Sequence, residues 1–425
     1  MRILKICCPL SRLKFNPTSI IPRLTFKNYV LTFAALCIIL TACDPNSGGP
    51  PYLTNVKAIS AGYYHTLAIK DDGTLWAWGN NEYGQLGNGT TTNSLVAVQI
   101  GTANNWKAVS AGESHTVAVK QDDTVWAWGY NDFGQLGDGN IGTFSAAPIQ
   151  VKCKSGVGNL VDVKAVSAGN LYTVAIKEDG SVWAWGYNNH GQLGDDGNSG
   201  TFSATPVQVM SSDDDGITIT EFTKAIAVST GSGHTVAIDN DDNLWAWGNN
   251  GSGRLGDGTT DNRNYPVQVM ANASTEFNNI RAVSAGGSHT VAIDNGKNLW
   301  AWGNNSSGQL GDGTTIPKIS PVQVMSDVKT VSAGYSHTVA IKEDGSVWAW
   351  GESNYGQLGD GTTTDRLYPV KIGDKWAEVS AGSEHTVAIK RDKILWAWGW
   401  NNNGQLGDGT KTTRFVPKRV MMSGL

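Results

Sequence analysis

From residue 52 to the C-terminus, apolar and polar positions alternate in runs of four to seven residues, and Gly, Asn or Asp bounds most of them. The unit is clearest between Ser320 and Gly361, which reads PVQVM, then VKTVSAGYSHTVAIKEDGSVWAWG, then a loop ending YGQLGDG. In HTVAIK, His337, Val339 and Ile341 fall on one side of an extended chain and Thr338, Ala340 and Lys342 on the other, the period of a half-buried strand. In SVWAWG, Trp348 and Trp350 share a face and Ala349 takes the opposite one. PVQV, VKTVSAG, HTVAIK and SVWAWG are rich in Val, Ile, Thr or Trp, so the pattern predicts four short strands per unit. Each sheet then has a bulky face and a small-residue face, and the tryptophans of one sheet pack on the alanine side of the next.

The marker Trp-Ala-Trp-Gly begins at residues 76, 126, 183, 245, 300, 348 and 396, with spacings of 50, 57, 62, 55, 48 and 48. Seven copies at this period predict an all-β, seven-bladed propeller of four-stranded antiparallel blades over residues 52–425, a ring without long exposed edges. The first copy, Tyr52 to Gly79, has no PVQV run before it, and the last leaves Val416 to Val420 at its end. A C-terminal strand is therefore expected to complete the first blade. The combination SAGxxHT, WAWG and NxxGQLGDGT resembles the regulator of chromosome condensation repeat family, and the resemblance covers residues 52–425. It implies the seven-bladed ring and, for the family's founding member, guanine-nucleotide exchange on a small GTPase. Function transfers less readily than fold, because one fold hosts unrelated activities.

Composition agrees with strands and tight turns: 52 Gly and 17 Trp, with only 16% charged residues against roughly 25% in an ordinary domain. So many tryptophans exclude a disordered chain, and so much glycine excludes a long-helix protein. Fourteen of the 17 Trp belong to the WAWG markers, leaving Trp106, Trp376 and Trp400. Length alone suggests two or three domains; the repeats reduce them to one ring.

Charge and apolarity are uneven at the N-terminus. Residues 1–42 carry six basic residues (Arg2, Lys5, Arg12, Lys14, Arg23, Lys27) and no acid, so the remainder has 26 basic against 37 acidic residues, a net charge of −11. A surface that acidic has no electrostatic footprint for a phosphate backbone, so chromatin, RNA and anionic headgroups are poor partners. Tyr29 to Leu40 is apolar apart from Thr32, too short to cross ~30 Å of hydrocarbon but suited to a signal core. Leu40-Thr41-Ala42-Cys43 resembles the lipobox of bacterial lipoproteins. Residues 1–42 are thus expected to be a lipoprotein signal peptide, Cys43 the lipidated residue, and 43–51 a flexible tether. The expected location is the bacterial cell envelope, with the protein lipid-anchored to a membrane and facing periplasm or exterior. Cys7, Cys8 and Cys37 leave with the signal, so Cys153 stands alone as an incidental thiol.

Candidate chemistry is sparse. His65, His115, His234, His289, His337 and His385 occupy one repeat position, with Tyr172 in the third copy. Equivalent positions on neighbouring blades stand ~10 Å apart, too far to share a metal whose ligands lie near 2 Å. These imidazoles are expected to bond the backbone of the neighbouring Gly-rich turn. The GQLGDG loops lack the lysine and helix of a phosphate loop. Asp239, Asp241 and Asn243 match the start of a calcium loop, but Leu244 stands where Gly is required, so a hairpin tip is expected. Neither His-Glu-x-x-His nor Gly-x-Ser-x-Gly occurs. No enzyme activity, cofactor or metal is expected.

What differs between copies is more informative. SAGxxHT turns and GQLGDG loops should open on one face of the ring. Acidic hairpin tips (Asp71-Asp72, Asp122-Asp123, Glu178-Asp179, Asp241-Asp242, Glu343-Asp344) should open on the other, with insertions at 152–162, 211–222 and 271–279. On the first face Tyr335, Tyr355, Trp400, Tyr63, Tyr64, Tyr83, Tyr130 and Phe133 follow one another around the ring from the sixth copy to the second. Copies four and five offer Ser and Gly there. Tyr and Trp are common anchors of interfaces, so this arc is the expected site for a protein partner, with a glycan as a further ligand class. The expected function is a non-enzymatic, membrane-tethered, exported protein-binding propeller, an interaction scaffold. The alternatives are a guanine-nucleotide exchange regulator and a secreted inhibitor similar to the propeller-type beta-lactamase inhibitory protein.

Overall fold

The four apolar runs of each repeat form a meander of antiparallel strands. In the first blade these are Val56–Ala61, His65–Lys70, Leu75–Gly79 and Ser94–Gln99, hydrogen-bonded in that order. Seven four-stranded sheets of this kind follow one another along the chain. The structure, a computed structural model, describes residues 51–423 except 155, 196–200, 213–218 and 273. The expected signal peptide, Cys43 and the expected tether as far as residue 50 lie outside the described residues. Among the described residues no helix is long and apolar enough to cross a membrane.

One expectation is overturned. The strand from Arg414 to Arg419 does not complete the first blade; it is the outer strand of the seventh, with Trp396 opposite Arg419 and Gly399 opposite Arg414. The first blade has its own outer strand, with Trp76 opposite Gln99. The reason lies in the GQLGDG loop, which turns the chain back along the exposed edge of the WAWG strand. The apolar run after WAWG therefore belongs to the same sheet, and the run before SAG belongs to the preceding one. The chain ends close the ring differently. Leu53 N–H donates to Val420 O at 3.0 Å, and Leu395 N–H to Leu53 O at 3.3 Å. Phe222 holds the equivalent place between the third and fourth blades, donating to Val209 O at 3.0 Å and accepting from Val182 N–H at 3.3 Å. At the seam, two chain ends do what one continuous connector does elsewhere.

Packing between blades follows the predicted alternation, with more mixing of large and small residues. Thr338 pairs with Trp350 and Ala340 with Trp348, so both tryptophans share a face with an alanine. The opposite face carries Val339, Ile341, Val347 and Ala349, and receives Ala388 and the buried Trp398 of the seventh blade. The second Trp of every marker is fully buried.

Three rings of hydrogen bonds lock adjacent blades. In the innermost, the Ser hydroxyl of each Ser-Ala-Gly (Ser-Thr-Gly in the fourth blade) accepts the N–H of the Ala or Thr in the next blade, seven times around, at 2.9 to 3.1 Å. In the second, each of the six histidines meets the Thr hydroxyl of the next blade through Nε2 at 2.9 to 3.0 Å. The expected partner, a turn backbone, is therefore replaced by a threonine. That hydroxyl in turn donates to a backbone carbonyl, as Thr116 does to Gln85 O at 2.8 Å. With its proton committed there, the hydroxyl can only accept from the imidazole, so Nε2 carries the hydrogen. Tyr172 departs from this relay in the third blade: its hydroxyl donates to His234 O, and the Thr235 hydroxyl shares its hydrogen between Gln192 O at 3.1 Å and the Tyr172 oxygen at 3.2 Å. In the third ring, the indole N–H of the second Trp donates to the Gln carbonyl of the preceding GQLG turn in six blades, at 2.9 to 3.0 Å. At Trp302 the acceptor position belongs to Arg254, and the indole N–H is buried without a partner.

Candidate partner-binding face

A buried polar side chain organises each GQLGDG-type loop, an Asn in six blades and Ser353 in the sixth. Asn401 Oδ1 accepts from Leu406 N–H at 3.0 Å, and its amide nitrogen donates to Asp408 at 3.1 Å and to the carbonyls of Thr410 and Thr412. Asp408 also receives Thr410 and Arg414; burial pushes its carboxyl up, but these bonds hold it below the usual range. Gly359 shows why glycine is needed here, since at φ 78° a Cβ would lie 2.6 Å from Trp398 Nε1. The acids of these loops build the turn and are spoken for.

The two ends of each sheet sort as expected. Asn80 N–H donates to Tyr64 O at 2.8 Å, tying the SAGxxHT turn to the start of the GQLG loop on one face. The acidic tips lie at the other end of the hairpins, where they do more than face solvent. Asp122 Oδ1 accepts from Thr124 Oγ1 at 2.6 Å, and Thr124 accepts the Trp126 indole N–H at 3.0 Å. Lys107 bridges to Asp123 within the second blade at 2.6 Å, and Lys393 of the seventh blade to Asp71 of the first at 2.7 Å. Asp239, the calcium-loop candidate, spends its carboxylate on Asp241 N–H, Asn243 and Trp245 of its own hairpin. Cys153 Sγ donates to Val157 O at 2.7 Å within its insertion.

On the loop face the aromatic residues sort into three groups by ring contact. The largest joins blades six, seven and one: Tyr335 to Tyr63 at 5.5 Å, Tyr63 to Tyr64 at 5.8 Å, Tyr64 to Trp400 at 5.2 Å and Trp400 to Tyr355 at 5.9 Å. Tyr83 stacks on Tyr130 at 4.7 Å, and Phe133 meets Tyr187 at 4.9 Å. Tyr335 is 44% exposed, and Tyr83 and Tyr355 are 39% exposed. Tyr63, Tyr64, Tyr130, Phe133 and Trp400 are half-buried. Tyr63 is set apart from the rest. Its hydroxyl lies 3.1 Å from Ser232 Oγ of the fourth blade while its ring rests on Tyr335 of the sixth. It thus bridges the mouth of the central channel, which the Ala-Gly and Thr-Gly turns of all seven blades line. Burial and its neighbours' charges keep the Tyr63 phenol protonated.

Carboxylates stand among these rings. Glu113, Glu352 and Glu384 are half-buried, and burial raises all three, with Glu352 adding to the shift of Glu384. Tyr130 donates to Asp132 at 2.7 Å. The blade-six-to-two side of the face is therefore aromatic and acidic. Blades three and four present instead His190 and Arg254, with no carboxylate among the described residues that line the recess between them.

Residues 56–85, 106–135 and 163–192, and in a second description 72–119, 122–176 and 179–238, match the Regulator of chromosome condensation (RCC1) repeat. Residues 215–424 match the RCC1-like domain. The chain belongs to the RCC1 repeat family. It is 28% identical over 281 residues to the RCC1 domain-containing protein RUG3, mitochondrial, of Arabidopsis thaliana, covering 64% of this chain and 59% of that one. It is 32% identical over 269 residues to the ultraviolet-B receptor UVR8 of the same plant, covering 63% of this chain and 46% of the receptor. The match thus spans less than two thirds of either relative. Among solved structures, Prp20p from Saccharomyces cerevisiae superposes with a TM-score of 0.68 at 23% identity, covering 83% of this chain and 87% of that one. Human WBSCR16 gives 0.67 at 22% identity, covering 80% and 90%. These establish the seven-bladed fold.

Within this RCC1 repeat protein, sequence reasoning passed over Tyr187, which stands at the WAWGx position of Tyr130 and Trp400. It also passed over Glu113, Glu352 and Glu384, and over Arg254. The repeats carried a signal for each: a polar or aromatic residue at a position that varies between copies, and, for Arg254, a departure from the Gln of the six other copies.

Proposed function

We propose that this RCC1 repeat protein is a non-enzymatic, membrane-tethered, exported propeller that binds a protein partner through the aromatic arc of its loop face. The observation that carries the reading is the concentration of Tyr and Trp rings with half-buried carboxylates on one side of that face. Aromatic rings supply contact area at little entropic cost, and their faces attract cations. Carboxylates crowded by burial gain from a positive neighbour. A basic patch on the partner fits both. Proteins of this fold support a binding role, since Prp20p is described with its binding to Gsp1p and histones, and yeast RCC1 (Prp20) was solved with Kap60 bound. The acidity of this chain sets it apart from nucleic-acid binding.

Replacing Tyr64, Tyr83, Phe133 and Trp400 together by Ala is expected to lower capture of the partner by about tenfold or more, while the circular dichroism spectrum stays that of the wild type. Higher salt should weaken wild-type capture, because the proposed contact is partly ionic. Equal capture by both proteins would refute the reading. The tether is tested separately. The Cys43→Ser protein is expected to move from the membrane to the soluble fraction, and retention on the membrane would exclude a lipid anchor at this residue.

A further inference from the structure

Arg254 breaks the repeat at a position where the other six blades carry Gln85, Gln135, Gln192, Gln309, Gln357 and Gln405. In those blades the Gln side chain accepts the N–H two residues earlier, as Gln357 Oε1 does from Tyr355 at 3.0 Å. A guanidinium cannot accept. Its turn accordingly differs: Ser252 adopts φ 66°, in the left-handed region, and Trp302 loses the indole bond that the other second tryptophans make. The substitution exchanges these bonds for two guanidinium donations to backbone carbonyls and leaves the rest of the fork without a partner among the described residues, which points to a function outside the chain.

The surroundings define that function. Arg254 Nε donates to Gly251 O at 2.9 Å and Nη1 to Gly287 O at 3.3 Å. These fix the side chain and leave the end of the fork, one N–H on Nη1 and those of Nη2, without a partner among the described residues at the lining of a recess. Three other arginines of the ring, Arg263, Arg366 and Arg414, reach their own loop aspartates at 2.6 to 2.7 Å. Arg254 has no such partner among the described residues; the titratable groups around it are Tyr172, Tyr335, His190, His234 and His289, none of them a carboxylate, and burial works against its charge. A half-buried guanidinium without a counter-ion is unfavourable.

The recess beside it, of about 200 Å³, is lined by His190, Asn249, Ser232 and Asn170 among others, and Asn170 Oδ1 is a buried acceptor with no partner there. Asn249 Oδ1 is taken by Gly251 N–H at 2.9 Å, which leaves its amide nitrogen available. His190 Nδ1 faces the amide nitrogen of Asn262 at 3.4 Å, because Asn262 Oδ1 accepts Asn250 N–H. The His190 hydrogen therefore sits on Nε2. Gly233 lies between the two, where a side chain would stand 3.5 Å from Asn249 and 3.6 Å from His190. We infer that this recess between blades three and four is a binding site for a carboxylate, held end-on by the Arg254 fork with Asn249 and His190 as further donors. The planar, two-oxygen acceptor matches the fork, which a tetrahedral phosphate matches less well in so small a space. The site does not depend on the aromatic arc and stands without it.

The test uses the full-length protein, titrated with sodium acetate at constant ionic strength against sodium chloride and followed by melting temperature and calorimetry. Wild type is expected to show a saturable rise in melting temperature. Arg254→Gln, which restores the residue of the other six blades, should melt at or above wild type in chloride and give no acetate-dependent rise. Arg254→Lys keeps the charge but not the fork, and should bind acetate about tenfold more weakly. A parallel titration with the tripeptide Ac-Gly-Glu-Gly-NH2 separates a free acid from an acidic side chain of a partner: the source is whichever of the two binds more tightly. An equal acetate response in wild type and Arg254→Gln, no response in wild type, or tighter binding of inorganic phosphate than of acetate would overturn the assignment. None of these outcomes bears on capture through the aromatic arc.

Discussion

Acidification from pH 7.5 to about 5 is expected to unfold the propeller cooperatively, with about six protons taken up by imidazoles. The source is the histidine ring. Burial pushes the imidazoles of His65, His115, His289, His337 and His385 down to about 3, and that of His234 well below its ordinary value. Each Nδ1 is buried with no hydrogen-bond partner, so a second proton would create an unpaired interior cation. In the unfolded chain the same groups accept protons below about 6.5. The folded value is thus the lower one, and this part of the stability is complete above pH 6.5 and is lost as pH falls toward 3. One unit below 6.5, each group has withdrawn about 1.4 kcal/mol, and six together about 8 kcal/mol, comparable with the whole stability of a typical domain. Glu378 opposes this: burial raises its carboxyl to about 7, so it destabilises the fold increasingly from about pH 4.5 to 7 and relieves that effect on acidification. One such group offsets part of the loss and not all of it. Urea midpoints at pH 7.5, 6.0 and 5.0, read by far-ultraviolet circular dichroism, should fall steeply. A midpoint at pH 5.0 equal to that at pH 7.5 would mean that the ring is not a set of buried neutral imidazoles.

The two tryptophans of a single marker should differ severalfold when truncated. Trp350→Ala is expected to destabilise the protein by about 3 to 5 kcal/mol, and Trp348→Ala by about 1 to 2 kcal/mol. Trp350 is fully buried against Val291, Ile293, Leu299, Ala301 and Leu310 of the fifth blade, and its indole N–H donates to Gln309 O at 3.0 Å. Its removal opens a cavity between two sheets that cannot collapse, because the Ser, His-Thr and backbone bonds hold them apart. Trp348 is half-buried on the same face, with its N–H on Ser346 Oγ at 2.9 Å, and water can refill its place. Trp302→Phe should be milder than Trp350→Phe, since Trp302 has no indole bond to lose. The measurement is the urea midpoint of each variant at pH 7.5. Similar losses for Trp348→Ala and Trp350→Ala would contradict this asymmetry.

Much of the architecture was legible because it repeats. Period-two alternation in HTVAIK and SVWAWG, copied seven times, is a local property, and it led to seven sheets with tryptophans between them. The loop face and the tip face were legible for the same reason, since strand order decides which connections share an end. The phase of the blades was not. Whether PVQV joins the WAWG strand before it or the SAG strand after it depends on where the GQLGDG loop turns the chain, and the buried Asn401-type hub sets that path through contacts seven to eleven residues apart. The histidines were read correctly as structural but with the wrong partner, because Thr66 and His385 are brought together only by closing the ring.

The candidate site divides in the same way. By itself the sequence determined the residues of the aromatic arc and their order around the ring, because they are the positions at which near-identical copies differ. It also contained Arg254 as one departure among seven glutamine positions, without a meaning. Only the tertiary structure decided that Tyr63 bridges the channel mouth to Ser232, that Glu113, Glu352 and Glu384 stand among the rings, and that Arg254 lines a recess with no carboxylate among the described residues. Burial and the distance between blades are properties of the closed ring. They convert a residue type into a charged, half-desolvated group with or without a partner, and no spacing along the chain contains that information.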